Sequence, residues 1–168
     1  MRGEPLRVLL HDYGGYGFTA QLGRALAGRG HHVLYSYSLT TQLMQRFPSQ
    51  PAQEDLMLEG IRLPRPFARY NYLQRWRDER LHGCLVAEQV RTFRPEVVLS
   101  ANTPLDAQAL IQQASREVKA KFIFWMQDLI GLATQNTLTL RFPLMGRLIG
   151  DHYLSIEKKL VSRSDGVI

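Results

Sequence analysis

A single cysteine, Cys84, occurs in 168 residues. This excludes an internal disulfide framework and zinc-ligand spacing, and it fits a reducing compartment. Long apolar runs are also missing. No stretch approaches the roughly 18 apolar residues of a membrane-spanning helix. The opening, MRGEPLRVLL, passes straight into a strand-like run, without the apolar region and cleavage site of a signal peptide. There is no low-complexity segment and no internal repeat. The expected location is the cytoplasm, either dissolved or peripheral on the inner face of the plasma membrane.

What is present describes an ordinary globular domain. Hydrophobic residues make up 45% of the chain, enough to exclude disorder, and the length suits one domain with its own core. Lys and Arg outnumber Asp and Glu by 21 to 15, a formal charge of +6. That balance admits anionic lipid, phosphorylated substrates or nucleic acid as partners, and says nothing about fold.

Apolar and amphipathic runs alternate. Leu6–Leu10 reads as a buried strand. Phe18–Ala27 reads as a helix with Phe18, Leu22, Ala25 and Leu26 on one face, ended by Gly28 and Gly30. His32–Leu39 is rich in strand formers. Four prolines (Pro48, Pro51, Pro64 and Pro66) break the next stretch, with a short edge strand expected at Ile61–Leu63. A long helix is expected over Asn71–Phe93, stopped at Arg94-Pro95. Glu96–Asn102 is a strand, and Thr103 and Pro104 suit a helix start, Thr103 as cap. Lys121–Asp128 is a strand apolar on consecutive residues, as in sheets covered on both faces. A loop, a helix near Pro143–Ser162 and a last strand at SDGVI complete the pattern. The order predicts an α/β, Rossmann-like, mainly parallel sheet with helices on both faces. So short a final strand leads us to expect that the natural protein continues beyond Ile168.

Three glycines, Gly14, Gly15 and Gly17, follow the first strand. Gly15, Gly17 and Ala20 match the dinucleotide pattern G-x-G-x-x-A, which brings backbone amides and a helix N-terminus to an anionic group. The full fingerprint also needs an acidic residue at the end of the second strand. That end reads YSYSLT, without acid or base. His11, Asp12 and Tyr13 moreover lengthen the turn, and both features argue against an NAD(P) oxidoreductase. A tight strand-to-helix turn also accounts for the glycines.

Two further strands end in polar residues. The expected rim gathers His11 and Asp12, Asn102 and Thr103, and Gln127 and Asp128 at one carboxyl edge, where open α/β sheets bind ligands. Taken singly, each has a structural role available, such as helix capping.

Four segments together resemble the N-terminal, acceptor-side domain of a family 4 retaining glycosyltransferase, one half of a GT-B architecture. They are LRVLLHDYGGYGFTAQLGRALAGRGHHV, RPEVVLSANTP, FIFWMQDL and YLSIEKKLVSRSDGVI. FWMQDL is similar to the corresponding stretch of bacterial exopolysaccharide, O-antigen and colanic-acid-type transferases. The resemblance implies a nucleotide-sugar donor as co-substrate, with no other cofactor and no metal. It implies a lipid-linked or saccharide acceptor and a separate C-terminal donor domain, without which this chain should transfer no sugar; a non-catalytic nucleotide- or lipid-binding module is the alternative reading. By that match the Gly14, Gly15 and Gly17 loop, with His11 and Asp12, lies near the donor phosphates and acceptor. Asn102 and Thr103 line the acceptor rim, and Asp128 or Gln127 orients the acceptor or the transferred sugar. Relatives often carry His where Gln127 stands, and glutamine cannot act as a general base.

Between Arg65 and Gly83, five arginines interleave with Phe67, Tyr70, Tyr72 and Trp76. Arg69, Tyr72, Arg75, Trp76 and Arg77 suit an anionic membrane interface, and the resemblance adds a lipid-linked acceptor. A solvated helix face burying Leu73 and Trp76 is the alternative. No recognisable nucleic-acid module accompanies the charge.

Overall fold

The computed structural model describes residues 4–40, 55–65, 71–141 and 143–168. Strand β1 (Arg7–Asp12) leads through helix α1 (Gly17–Ala27) to β2 (His32–Ser38) and β3 (Leu56–Ile61). Helix α2 (Tyr72–Phe93) returns the chain to β4 (Val97–Ala101), followed by α3 (Leu105–Glu117) and β5 (Lys121–Trp125). Helices α4 (Ile130–Arg141) and α5 (Pro143–Arg163) precede β6 (Gly166–Val167). The six strands form one sheet in the order β3-β2-β1-β4-β5-β6, and every pairing is parallel. The chain leaves β1 toward β2 and later returns to its other side at β4. The β1–β4 junction is therefore a topological switch point.

Alternation along each strand divides the core in two. Leu9, Leu34, Val98 and Phe122 lie side by side across four strands and pack with Val86, Val90, Ile111 and Leu160 of α2, α3 and α5. On the other face Val8, Leu10, Val33 and Tyr35 meet Ala20 and Ala27 of α1. Full burial of such side chains contributes roughly 1.5–3 kcal/mol each. Asn71 caps α2, its Oδ1 accepting from the Gln74 amide at 3.0 Å. The helix ends at Arg94, whose φ of +49° is left-handed, just ahead of Pro95.

Several expected boundaries move. Strand β1 runs to Asp12, so His11 and Asp12 belong to the strand and the glycine turn is shorter than the sequence suggested. Strand β3 ends at Ile61 rather than starting there, paired with β2 through Val33 and Leu56. The buried stripe of α1 is Thr19, Ala20, Gly23 and Ala27, with Phe18 and Ala25 exposed. The helix lies close to the sheet, so its small residues face inward: a Cβ on Gly23 would stand 3.3 Å from Leu10. Strand β5 stops at Trp125, and Ile123 and Trp125 are half-buried while Phe122 and Phe124 are buried. Where a loop was expected after Asp128, α4 forms. The stretches 41–54 and 66–70, with Pro48, Pro51, Pro66, Phe67, Arg69 and Tyr70, lie outside the described residues.

Helices α2 and α3 approach closely at Gly83, where a Cβ would stand 2.6 Å from the Ala107 Cα. A backbone atom cannot swing aside as a side chain does. Gly83→Ala should therefore force the helices apart and destabilise the fold by about 1–3 kcal/mol in urea unfolding.

Candidate functional site at the carboxyl edge

Asp12, the last residue of β1, is fully buried on the α1 side. One carboxylate oxygen accepts from the Gly15 amide at 3.0 Å. The other accepts from the Tyr16 amide and the Thr19 hydroxyl, both at 2.8 Å. Gly15 takes a φ of +67°, a conformation that glycine adopts without the cost a side chain would bring. Burial pushes the Asp12 carboxyl upward, while its bonds to Thr19, Tyr16, Gly15 and Gly14 pull it back. Asp12 thus shapes the turn from inside and does not face a ligand.

Helix α1 begins at Gly17 with no side-chain cap from Tyr16 and no acidic residue in its first turn. The first amides of a helix lack intrahelical acceptors, and the dipole leaves that end positive. A Cβ on Gly17 would meet nothing within 4 Å. Beside it, Tyr16 stacks on Phe18 at 5.5 Å, and Phe18 leans on Trp125 of β5 at 5.3 Å. An aromatic shelf therefore flanks the uncapped helix end.

His11 points to the opposite face, beneath α2. Its Nδ1 donates to the Ser36 carbonyl at 3.2 Å. The His82 ring lies 5.1 Å away, with Tyr13 edge-on to it at 4.7 Å. Among the described residues His11 Nε2, both His82 nitrogens and Asn102 Nδ2 are buried without hydrogen-bond partners. Burial and the neighbouring His82 hold His11 well below the usual histidine range, against the bond to Ser36. Burial alone pushes His82 down to about 4. The pair is neutral at neutral pH.

At the end of β4, Asn102 adopts a φ of +46°. Thr103 does not cap α3: it is buried and its hydroxyl donates to the Ala101 carbonyl at 2.7 Å, while Pro104 occupies the N-cap position. Beneath them Gln108 brackets Ser100, accepting from its hydroxyl at 2.5 Å and donating to its carbonyl at 3.1 Å. Gln127 and Asp128, just past β5, are exposed. All six expected rim residues thus lie at or just past the carboxyl ends of three adjacent strands, but His11, Asp12 and Thr103 turn into the protein.

Helix α2 runs antiparallel to the strands, so its N-terminal turns also stand at this edge. Tyr72, Arg75, Trp76 and Arg77 are exposed there, as is Leu73. The alternative of a face burying Leu73 and Trp76 is thereby corrected. Arg75 pairs with Glu79 at 2.7 Å. Arg80 lies over the Trp76 ring at 5.2 Å and reaches Asp106 at 3.2 Å, which also accepts from the Tyr153 hydroxyl at 3.0 Å. An open hollow of about 210 Å³, lined by Arg7, His32, Asp55, Met57 and Phe93, lies at the amino edge, away from this rim.

Thr19, His82 and the aromatic shelf were not anticipated. His82 shares the inner face of α2 with Val86 and Val90, four residues apart, and that spacing was the available signal.

No protein-family model matches the chain, and no curated protein matches it. Among solved structures it is similar to the Bordetella bronchiseptica enzyme WbmG in complex with NAD, at 14% identity and a TM-score of 0.52, covering 99% of this chain and 52% of that one. A second WbmG structure, with NAD and UDP, matches at 13% identity and a TM-score of 0.51, over 98% of this chain and 52% of that one. This chain spans about half the length of WbmG. HepE from Anabaena, in complex with UDP and glucose, matches at 14% identity and a TM-score of 0.45, over 83% of this chain and 35% of that one. At these identities the likeness concerns the fold, which is an α/β Rossmann-like one.

Two stability measurements check this construction. Asp12→Ala should cost about 3 kcal/mol in chemical denaturation, because it removes the carboxylate acceptor from the Gly15 and Tyr16 amides and from the buried Thr19 hydroxyl, with Asp12→Asn intermediate. A histidine depressed in the folded state contributes stability that is present above its unfolded value, near 6.5, and lost as pH falls toward the folded one. With His82 at about 4, acidification from pH 7 to pH 5 should remove about 2 kcal/mol through His82 alone, and His11, depressed by its own burial, adds to the loss. His82→Leu should reduce that dependence and leave the part carried by His11.

Proposed function

We propose that this chain is the acceptor-side half of a retaining, nucleotide-sugar-dependent glycosyltransferase of the family 4, GT-B type. It acts on a lipid-linked or saccharide acceptor in surface-polysaccharide assembly, at the cytoplasmic face of a membrane. A C-terminal donor domain supplies the remaining groups, and the half alone transfers no sugar.

The observation that carries this reading is the uncapped N-terminus of α1 at the β1–β4 switch point. There the open space above Gly17 meets the Tyr16–Phe18–Trp125 shelf. Amides at a helix start favour a diphosphate, and aromatic faces suit the apolar face of a sugar ring. Asp128 and Gln127 would orient sugar hydroxyls as hydrogen-bond acceptor and donor. Gln127 has no titrating group and serves as no general base; a departing phosphate oxygen that takes the acceptor proton would need no side-chain base. No nucleophile is assigned.

The strand order and glycine turn also belong to NAD-binding sheets. Against an oxidoreductase stands the end of β2, where Ser36, Tyr37 and Ser38 offer no carboxylate to a ribose.

Calorimetry distinguishes the two. The chain should bind a short-chain polyprenyl diphosphate sugar, while free nucleotide-sugars bind weakly or not at all. Gly17→Val should weaken that acceptor at least tenfold and leave the melting temperature within about 2 °C, since its side chain enters open space. Tight NAD binding, or acceptor binding indifferent to Gly17→Val, would overturn the assignment.

A further inference from the structure

Helices α4 and α5 form an antiparallel hairpin whose inner and outer surfaces are reversed relative to a soluble helix pair. Its contact seam is lined with glycine. A Cβ on Gly146 would overlap the Leu138 carbonyl, and one on Gly150 would stand 2.6 Å from the Gln135 Cα. The large apolar side chains point outward: Leu140 is 88% exposed, Leu144 86%, Leu148 73% and Met145 68%. Close backbone packing through small residues, with aliphatic side chains outside, is how helices pair in lipid.

The hairpin's position follows from its contacts. The Glu157 carboxylate accepts from the Gly131 amide at 3.0 Å, anchoring the start of α4 beside the middle of α5. Tyr153 reaches Asp106 at the head of α3, and the far end of α5 meets Arg116 at the foot of α3 through the Arg163 carbonyl. Residues from Tyr153 onward therefore cover the sheet. The ten residues before it extend about 15 Å past the carboxyl edge, at 1.5 Å per residue. This is the edge that carries the glycine turn and the exposed Tyr72, Leu73 and Trp76.

The chemistry of the tip selects its partner. Residues 129–150 contain no Asp or Glu, and their charged residues are Arg141 and Arg147; Asp151, at the base of the protruding segment, accepts a hydrogen bond from Gln135 across the seam. An apolar protein partner has no need of charge of one sign, whereas an anionic lipid surface attracts it. No described helix is long and apolar enough to cross a membrane, so the hairpin can enter one leaflet but not span the bilayer. We propose that the tip of the α4–α5 hairpin inserts into the interface of an anionic bilayer, holding the carboxyl edge against the membrane. This docking surface is distinct from the α2 stretch and does not depend on the glycosyltransferase reading.

The test is flotation of the full chain with vesicles of phosphatidylethanolamine and phosphatidylglycerol, which contain no sugar acceptor. The wild type should float with these vesicles and much less with neutral phosphatidylcholine. The triple variant Leu140→Gln, Leu144→Gln, Leu148→Gln should lose at least tenfold in binding without a change in melting temperature, because its sites are exposed. Met145→Trp should show blue-shifted emission quenched by brominated acyl chains. Absent flotation, flotation unaffected by the triple variant, or a lipid-free dimer that the triple variant dissolves and that binds no vesicles would each overturn the proposal.

Discussion

The carboxylate of Asp12 decides the geometry of the carboxyl edge. It sits at the last position of a buried strand and satisfies two amides and one hydroxyl over the next seven residues. Burial of a carboxylate is costly, and bonds of this kind contribute about 1.5–3 kcal/mol each. Three of them offset the cost and bind the turn to the strand. With Asp12 consumed inside, the first amides of α1 remain without a side-chain cap. The polar character of the rim therefore comes from backbone as much as from side chains.

Close packing by small residues recurs where elements must approach. Ala20, Gly23 and Ala27 lay α1 on one sheet face. Gly83 and Ala107 bring α2 against α3, and Gly146 and Gly150 bring α5 against α4. In the first two cases the approach supports the core beneath the rim. In the third it leaves leucines outside, on an arm reaching beyond the sheet. One physical device thus builds both the scaffold and the surface that we assign to the membrane.

Strands β1, β2, β4 and β5 were legible because each is a short apolar run leading into polar residues, and their alternation with helices implies the parallel sheet; β3, with Glu59 and Gly60 inside it, was placed too late in the chain. The edge shared by His11, Asn102 and Asp128 followed from strand direction alone. Side-chain direction did not. Alternation sends His11 and Asp12 to opposite faces, and a strand end drawn at Leu10 conceals this. Thr103 reads as a helix cap, and the structure instead turns its hydroxyl back to the Ala101 carbonyl. Helix α4 escaped notice because its apolar residues are not gathered on one stripe: its partner meets it through glycines. The His11–His82 contact joins residues 71 positions apart, and no local pattern announces it.

The central claim is that the uncapped start of α1 receives a phosphate-bearing ligand at the switch point. The most direct measurement is the amide spectrum of the isotopically labelled chain, recorded during titration with a polyprenyl diphosphate sugar. The account predicts that the largest shifts fall on Gly15, Gly17, Phe18 and Asn102, with smaller ones at Gln127 and Asp128. Shifts centred on Arg7, His32 and Asp55 at the amino edge, or none at Gly17 and Phe18 at saturation, would contradict it.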